Sequence, residues 1–431
     1  MTPRGREISL HDVSSSQMTM PMAGTREEVA LPPRGHLLAL DGVRGLAILM
    51  VICSHAFESN SDSAGPLVRL IGRLFFYGYF GVDLFFALSG FLITGILIDS
   101  LRDEGYFRKF YARRALRIFP LYYGVLGVCL LLTHPLHLAW HGMNWLLLFY
   151  LQNLRPAEIM QFTAGHGVNL YHFWSLAVEE QFYLVWPAIV FMVRGRRALL
   201  WVTACGAIAA LVLRCVLVGA GVSAYVLHVN TACRADALLL GGLLAVLYRS
   251  ASWDRVLKVA VGGFLGLLAI LLLGLALMDQ LVVARPPLLL AHPVLDVVWH
   301  GCLSYSVAAA MFTCLIACAL RPGSRLQSFF QVAWLRFLGK YSYGLYVLHV
   351  FVLDLGLPLR DTILKWTHSK AAAVGGAGIL ELAIAIALAW VSYHLYERPF
   401  LRMKHYFDYS RRSLNQGAPE DAGIVAATTL L

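Results

Sequence analysis

The chain has 431 residues, of which 59% are hydrophobic and 14% charged, and it carries a net charge of +10. A soluble domain has roughly 45–50% apolar and about 25% charged residues, so an ordinary water-soluble enzyme and a disordered polymer are both excluded. In a membrane protein, excess Lys and Arg reports orientation rather than nucleic-acid binding.

Residues 1–36 are polar and mix acids with bases. No basic region leads directly into a short apolar core, so they read as a disordered cytoplasmic arm and not as a cleavable signal peptide. Ten apolar segments follow, at 37–57, 74–98, 118–133, 173–193, 198–219, 236–249, 256–278, 298–320, 341–357 and 374–396. A spanning helix needs about 20 apolar residues. The third and sixth are short, and the stretch 143–151 suits a re-entrant or interfacial segment. The predicted fold is an all-α, polytopic helical membrane bundle of about ten transmembrane helices. Its membrane domain covers 37–402, and 403–431 forms a cytoplasmic, disordered tail. With the N-terminus inside, the inner segments, counted with Arg249 and Lys258 at the adjoining helix ends, hold 25 Lys and Arg against 8 outside. That bias favours cytoplasmic termini.

The eight cysteines lie mostly in apolar runs, with no CxxC pair and no Cys/His cluster at metal spacing. They read as small buried hydrophobes, and no metal is expected. No internal repeat of the kind many transporters carry is visible.

Ionisable residues inside membrane spans mark function by default. In chain order, the first helix, LLALDGVRGLAILMVICSH, carries Arg44 and His55. Eleven residues of helix turn through 20° beyond three full turns and rise about 16 Å. One helix face thus bears a cation and, further along, an imidazole, which suits a long ligand with an anionic head and a reactive far end. An Arg snorkelling to the interface beside a terminal His reads equally well.

The second helix, YFGVDLFFALSGFLITGIL, places Asp83 among aromatics. A buried carboxylate needs a partner, and Arg44 or another buried cation are the candidates. Gly81, Gly90 and Gly95 permit close helix approach. The following connection, YFRKFYARRALRIFPLYY, holds Arg113, Arg114 and Arg117, which a helix would cluster at i,i+3 and i,i+4 spacing. Arg clusters bind phosphates bidentately, and the same residues fit a positive-inside anchor.

The fourth segment opens YHFWSLAVEEQFYLVWP, with His172, Glu179, Glu180 and Gln181 near its outer end. One of these carboxylates could orient or share a proton with an imidazole, or both could simply favour a helix start. Arg234 and Asp236 open the sixth helix, His349 lies in GKYSYGLYVLHVF, and the last helix ends YHLYERPF. His36 and Asp41 match the His, four residues, Asp spacing of soluble glycerolipid acyltransferases, but on a helix they diverge by about 140°. There is no GxSxG elbow and no Walker A loop.

Taken in order, LDGVRGLAILMVICSH, FGVDLFFALSGFLITG, YARRALRIFPLYY, WSLAVEEQFYLVWP, GKYSYGLYVLHVF and YERPF resemble the motifs of the membrane acyltransferase-3 family over residues 37–400. Arg44 and His55 match that family's Arg, ten residues, His signature, and Arg114 and Arg117 its Arg-x-x-Arg motif. The resemblance implies about ten helices and transfer of an acyl group, commonly acetyl, from acyl-CoA as co-substrate to a hydroxyl. Implied acceptors are surface polysaccharides, lipid-linked sugars or macrolides, and the implied site is the inner membrane of a bacterium. On this reading Arg44, Arg113, Arg114 and Arg117 hold the CoA phosphates. His55 is the general base, and Glu179, Glu180 and Asp83 complete the catalytic set. A proton-coupled carrier or flippase of a polar or glycan substrate is the rival reading.

Overall fold

A computed structural model describes residues 37–57, 72, 75–133, 144–155, 170–284 and 298–409. The arm 1–36, the tail from 410 and most of the loop 134–169 lie outside the described residues, as does His36.

Every apolar segment read from the sequence coincides with a helix. These are α1 Leu38–Phe57, α2 Gly81–Ser100, α3 Tyr106–Leu131, α4 Trp174–Val193, α5 Arg196–Gly219, α6 Thr231–Tyr248, α7 Trp253–Ala284, α8 Ser304–Ala319, then the short α9 Ala333–Lys340, followed by α10 Ser342–Thr367 and α11 Lys370–Ser392. Among the described residues nine helices are long and apolar enough to cross a bilayer, and α10 contributes a shorter apolar stretch, Ser342–Leu353. The chain is a polytopic helical membrane protein.

The two segments that looked short are longer than their apolar runs. α3 starts at Tyr106, so the arginine-rich stretch read as a connection is the first half of the helix, which runs on through Pro120. Long side chains lose little rotamer freedom in a helix, and Arg114 and Arg117 lie over the rings of Tyr183 and Tyr343. α6 begins at Thr231 because the Asn230 side chain accepts a hydrogen bond from the Cys233 amide, an N-cap. The stretch around 143–151 does not span. It forms the 3-10 turn Asn144–Phe149, held by Tyr122 donating to the Leu147 carbonyl at 2.7 Å and Gln181 donating to the Tyr150 carbonyl at 2.7 Å.

The helices sort into an inner and an outer set. The span ending in α2 has 72% of its apolar stretch buried and that ending in α8 has 67%, against 22% for α5 and 22% for α7. The outer helices are apolar on the faces that meet no protein, as lipid contact requires. α2 and α6 pack without intervening side chains. A Cβ at Gly90 would collide with the carbonyl of Leu238, and one at Gly241 with the carbonyl of Ala87. Reciprocal small residues bring two backbones into contact. α1 lies against α2, α9, α10 and α11, so the helix bearing Arg44 and His55 is surrounded by protein. Beyond α11 the chain passes through the π turn Tyr393–Glu397 and a short helix to the 3-10 turn Met403–Phe407, which packs on α3.

Candidate active site

Five helices bring their polar residues to one cleft of about 680 Å³, counting the part open to solvent. α1 supplies Arg44, α2 Ser89, α3 Arg114 and Arg117, and α4 Ser175, Glu179 and Tyr183. α10 adds Tyr343 and Tyr346. Three guanidiniums line it together with a carboxylate and several hydroxyls. Ser89 donates a hydrogen bond to Glu179 and so holds that carboxylate in the cleft. One Nη of Arg117 is buried and makes no hydrogen bond. A buried, unsatisfied guanidinium N–H is an expensive feature, and a ligand with oxygen acceptors would satisfy it.

Tyr346 connects this cleft to a second group of residues. Its hydroxyl lies 2.5 Å from that of Ser175 and donates to the His172 carbonyl at 2.7 Å. Its ring stands 5.7 Å from His172 and 5.8 Å from His349. The His349 ring in turn lies 5.2 Å from His172 and 5.2 Å from His55. His349 and His172 are buried, and His55 is half-buried. The cleft that holds Arg44 and the ring cluster of His55, His349 and His172 thus have Tyr346 as a common neighbour.

The remaining candidates fall elsewhere. Arg113 does not line the cleft, donating to Asp408 at 2.6 Å and to the Lys404 carbonyl at 3.3 Å, with its guanidinium over the Tyr409 ring. Residues 403–409, assigned to the tail from composition, thus dock on α3 and engage this arginine. Glu179 sits in the cleft rather than beside His55. Glu180 follows it with one carboxylate oxygen buried and making no hydrogen bond, and it does not line the cleft. Asp83 pairs with Arg234 at 2.7 Å, both 1% exposed, so its partner is the second of the two alternatives and not Arg44. The Arg234 guanidinium stacks over Tyr305 at 4.0 Å, and the adjacent Arg214–Asp236 pair is bridged by Ser306.

Sequence reasoning passed over Ser89, Ser175 and Tyr346. A weak signal existed for the last. Tyr346 and His349 are polar residues at i,i+3 in an apolar helix, hence on one face. Nothing local marks the two serines, since a serine in a membrane helix ordinarily bonds its own backbone.

The family comparison matches residues 37–393 to a model described as an acyltransferase domain. The chain is 30% identical over 404 residues to a Bacillus subtilis protein provisionally named a peptidoglycan O-acetyltransferase, covering 88% of this chain and 56% of that protein. It is 27% identical to a Listeria monocytogenes peptidoglycan O-acetyltransferase, covering 87% of this chain and 57% of the other. It is 25% identical to Staphylococcus aureus proteins provisionally named O-acetyltransferases, covering 85% and 57%. The chain thus spans somewhat over half the length of these relatives. No solved structure matches it.

Proposed function

The chain belongs to the acyltransferase-3 family, and from that membership we propose that it is an integral-membrane O-acetyltransferase. It moves an acetyl group from acetyl-CoA to a hydroxyl of a cell-envelope glycan. The observation that carries this reading is the cleft of three arginines whose Tyr346 packs on His349, the ring beside His55.

Arg44, Arg114 and Arg117 bind the CoA phosphates, since planar guanidiniums match phosphate oxygens bidentately. The pantetheine arm lies along the α1 face between Arg44 and His55. The rise of about 16 Å over that interval suits an extended arm. His55 Nε2 takes the proton of the acceptor hydroxyl as its oxygen attacks the thioester carbonyl. The tetrahedral intermediate then expels the CoA thiolate, and the proton on His55 goes to that sulfur. Peptidoglycan is the acceptor class that the names of two relatives carry, and we take it as the first acceptor to test. We place the protein in the plasma membrane of a bacterium with both termini cytoplasmic, on the excess of Lys and Arg in the segments that share that side.

The experiment uses detergent-purified protein with radiolabelled acetyl-CoA, following free thiol and label on muropeptides and sugars, with His55→Ala beside the wild type. Thiol release and labelled acceptor from the wild type alone are expected. Wild-type turnover retained in His55→Ala would remove His55 from the mechanism. Failure of the wild type either to release thiol or to bind CoA would favour a carrier of intact substrate.

A further inference from the structure

His55 stands in the last turn of α1, two residues before the helix ends at Phe57. The last four carbonyls of a helix have no intrahelical donor, and helix ends fray. Side chains load this turn further. The Val51 carbonyl accepts from the Ser54 hydroxyl at 2.8 Å and from His55 Nδ1 at 2.9 Å. A serine that bonds back onto its own helix slightly destabilises it. A base placed here depends on support from outside its helix.

α10 and α11 supply that support. Arg360, on α10, donates from one Nη to the Ala56 carbonyl at 3.1 Å. The same Nη and the Nε donate to the two carboxylate oxygens of Glu381, on α11, at 2.9 Å and 3.2 Å. An Nη carries two hydrogens, one for each of its acceptors. Arg360 is 7% exposed, Ala56 2% and Glu381 1%, so the three groups meet out of solvent. Ala56 follows His55 directly in the chain. A cation on the final carbonyls also complements the helix dipole.

We infer that Arg360 is a positioning residue for His55, capping the end of α1 through the Ala56 carbonyl while Glu381 holds its guanidinium in place. This rests on the acyl-transfer reading, in which His55 takes the proton of the acceptor hydroxyl. Arg360 acts through the backbone of α1 and touches no substrate. Arginine suits the task because its planar fork serves a carboxylate and a carbonyl at once. A buried ion pair is about as stable as apolar residues of similar size, so the distinctive contribution of this one is the hydrogen bond to α1. The CoA phosphates, by Arg44, lie a helix rise of about 16 Å from His55. Loss of the cap should therefore be felt in the chemical step and not in CoA binding.

The test compares wild type, the double variant Arg360→Met with Glu381→Leu, and Arg360→Lys. Thiol release, CoA affinity, the thermal midpoint and hydrogen–deuterium exchange over residues 50–57 are measured on the same preparations. The double variant strands no charge, so its thermal midpoint should hold. It should lose at least about 10-fold in kcat, since a misplacement of about 1 Å can cost about 100-fold, with KM for acetyl-CoA and CoA affinity unchanged. Exchange over 50–57 should quicken, because local opening follows local loss of hydrogen bonds. Arg360→Lys keeps a cation and a donor and should keep more turnover than the double variant. Should the double variant not be recovered, Arg360→Lys decides the matter by the same readouts, slower turnover with quicker exchange at the end of α1. Turnover within about twofold of wild type, unchanged exchange over 50–57, or a loss that tracks the thermal midpoint would overturn the inference. Each of those outcomes leaves the acyltransferase reading standing. A wild type that releases no thiol would overturn that reading, and this inference with it.

Discussion

Asp83 and Arg234 form an ion pair 2.7 Å long that joins α2 to α6 with both side chains 1% exposed. The second carboxylate oxygen of Asp83 and two nitrogens of Arg234 have no hydrogen-bond partner, so the pair is under-satisfied as well as buried. Removing one partner strands a buried charge and costs about 3–5 kcal/mol, whereas replacing both with apolar residues of similar size is near neutral. Asp83→Leu should therefore lower the thermal midpoint in detergent strongly, and Asp83→Leu with Arg234→Met should recover most of it. A double variant no better than the single one would mean that the pair is not the main consequence of the change.

The contact between α2 and α6 gives a second prediction. Gly241→Ala drives a Cβ into the Ala87 carbonyl, and backbone cannot yield as a flexible side chain can. The expected loss exceeds the ~1–3 kcal/mol of ordinary overpacking, visible as poor recovery of monodisperse protein. Gly266→Ala on α7, where an added Cβ meets nothing within 4 Å, should be recovered like wild type. Equal recovery of the two variants would count against the close approach of the helices.

The arginines of α3 should separate in CoA affinity. Hydrogen bonds to charged groups contribute about 1.5–3 kcal/mol, so Arg114→Ala and Arg117→Ala should each weaken CoA binding roughly 10- to 100-fold. Arg113→Ala should change it by less than about threefold, because Asp408 and the Lys404 carbonyl already hold that guanidinium. Calorimetric titration with CoA and with dephospho-CoA makes the comparison. A loss at Arg113 as large as at Arg114 would mean that the Asp408 pair does not withhold that guanidinium from the phosphates.

His228, on the short helix Ala224–Val229 between the spans, makes stability fall in acid. It shares a 2.9 Å hydrogen bond with the Tyr305 hydroxyl and packs on Trp174 and Tyr79, with Arg234 nearby. Burial, reinforced by the Arg234 charge, pushes its imidazole down to about 3. The folded state thus holds the ring neutral, while the unfolded chain protonates it near 6.5. The contribution is fully present above about pH 6.5 and is lost as pH falls toward 3, at no more than ~1.4 kcal/mol per pH unit. Thermal midpoints at pH 7, 5 and 4 should fall more steeply for wild type than for His228→Gln. Parallel slopes would show that His228 does not set the acid limb.

The number and type of the elements were legible without a structure because a bilayer imposes one length on every crossing and forbids unpaired backbone within it. The α1 motif gave the Arg44–His55 face by helical geometry alone, and the α3 motif gave the Arg114–Arg117 cluster once those residues proved to be helical. What the sequence could not supply was which face meets which neighbour. Asp83 finds its partner 151 positions away, and Glu179 belongs to the cleft rather than to the imidazole. Arg113 is turned aside by residues that look like tail, and His349 reaches His55 from the other end of the chain. Periodicity fixes what shares a face within one helix, and that reach ends at the helix terminus. The neighbours across it are chosen by close backbone approach at glycines and by the requirement that each buried charge end beside another group able to satisfy it. Those conditions are met only once all the helices are packed together.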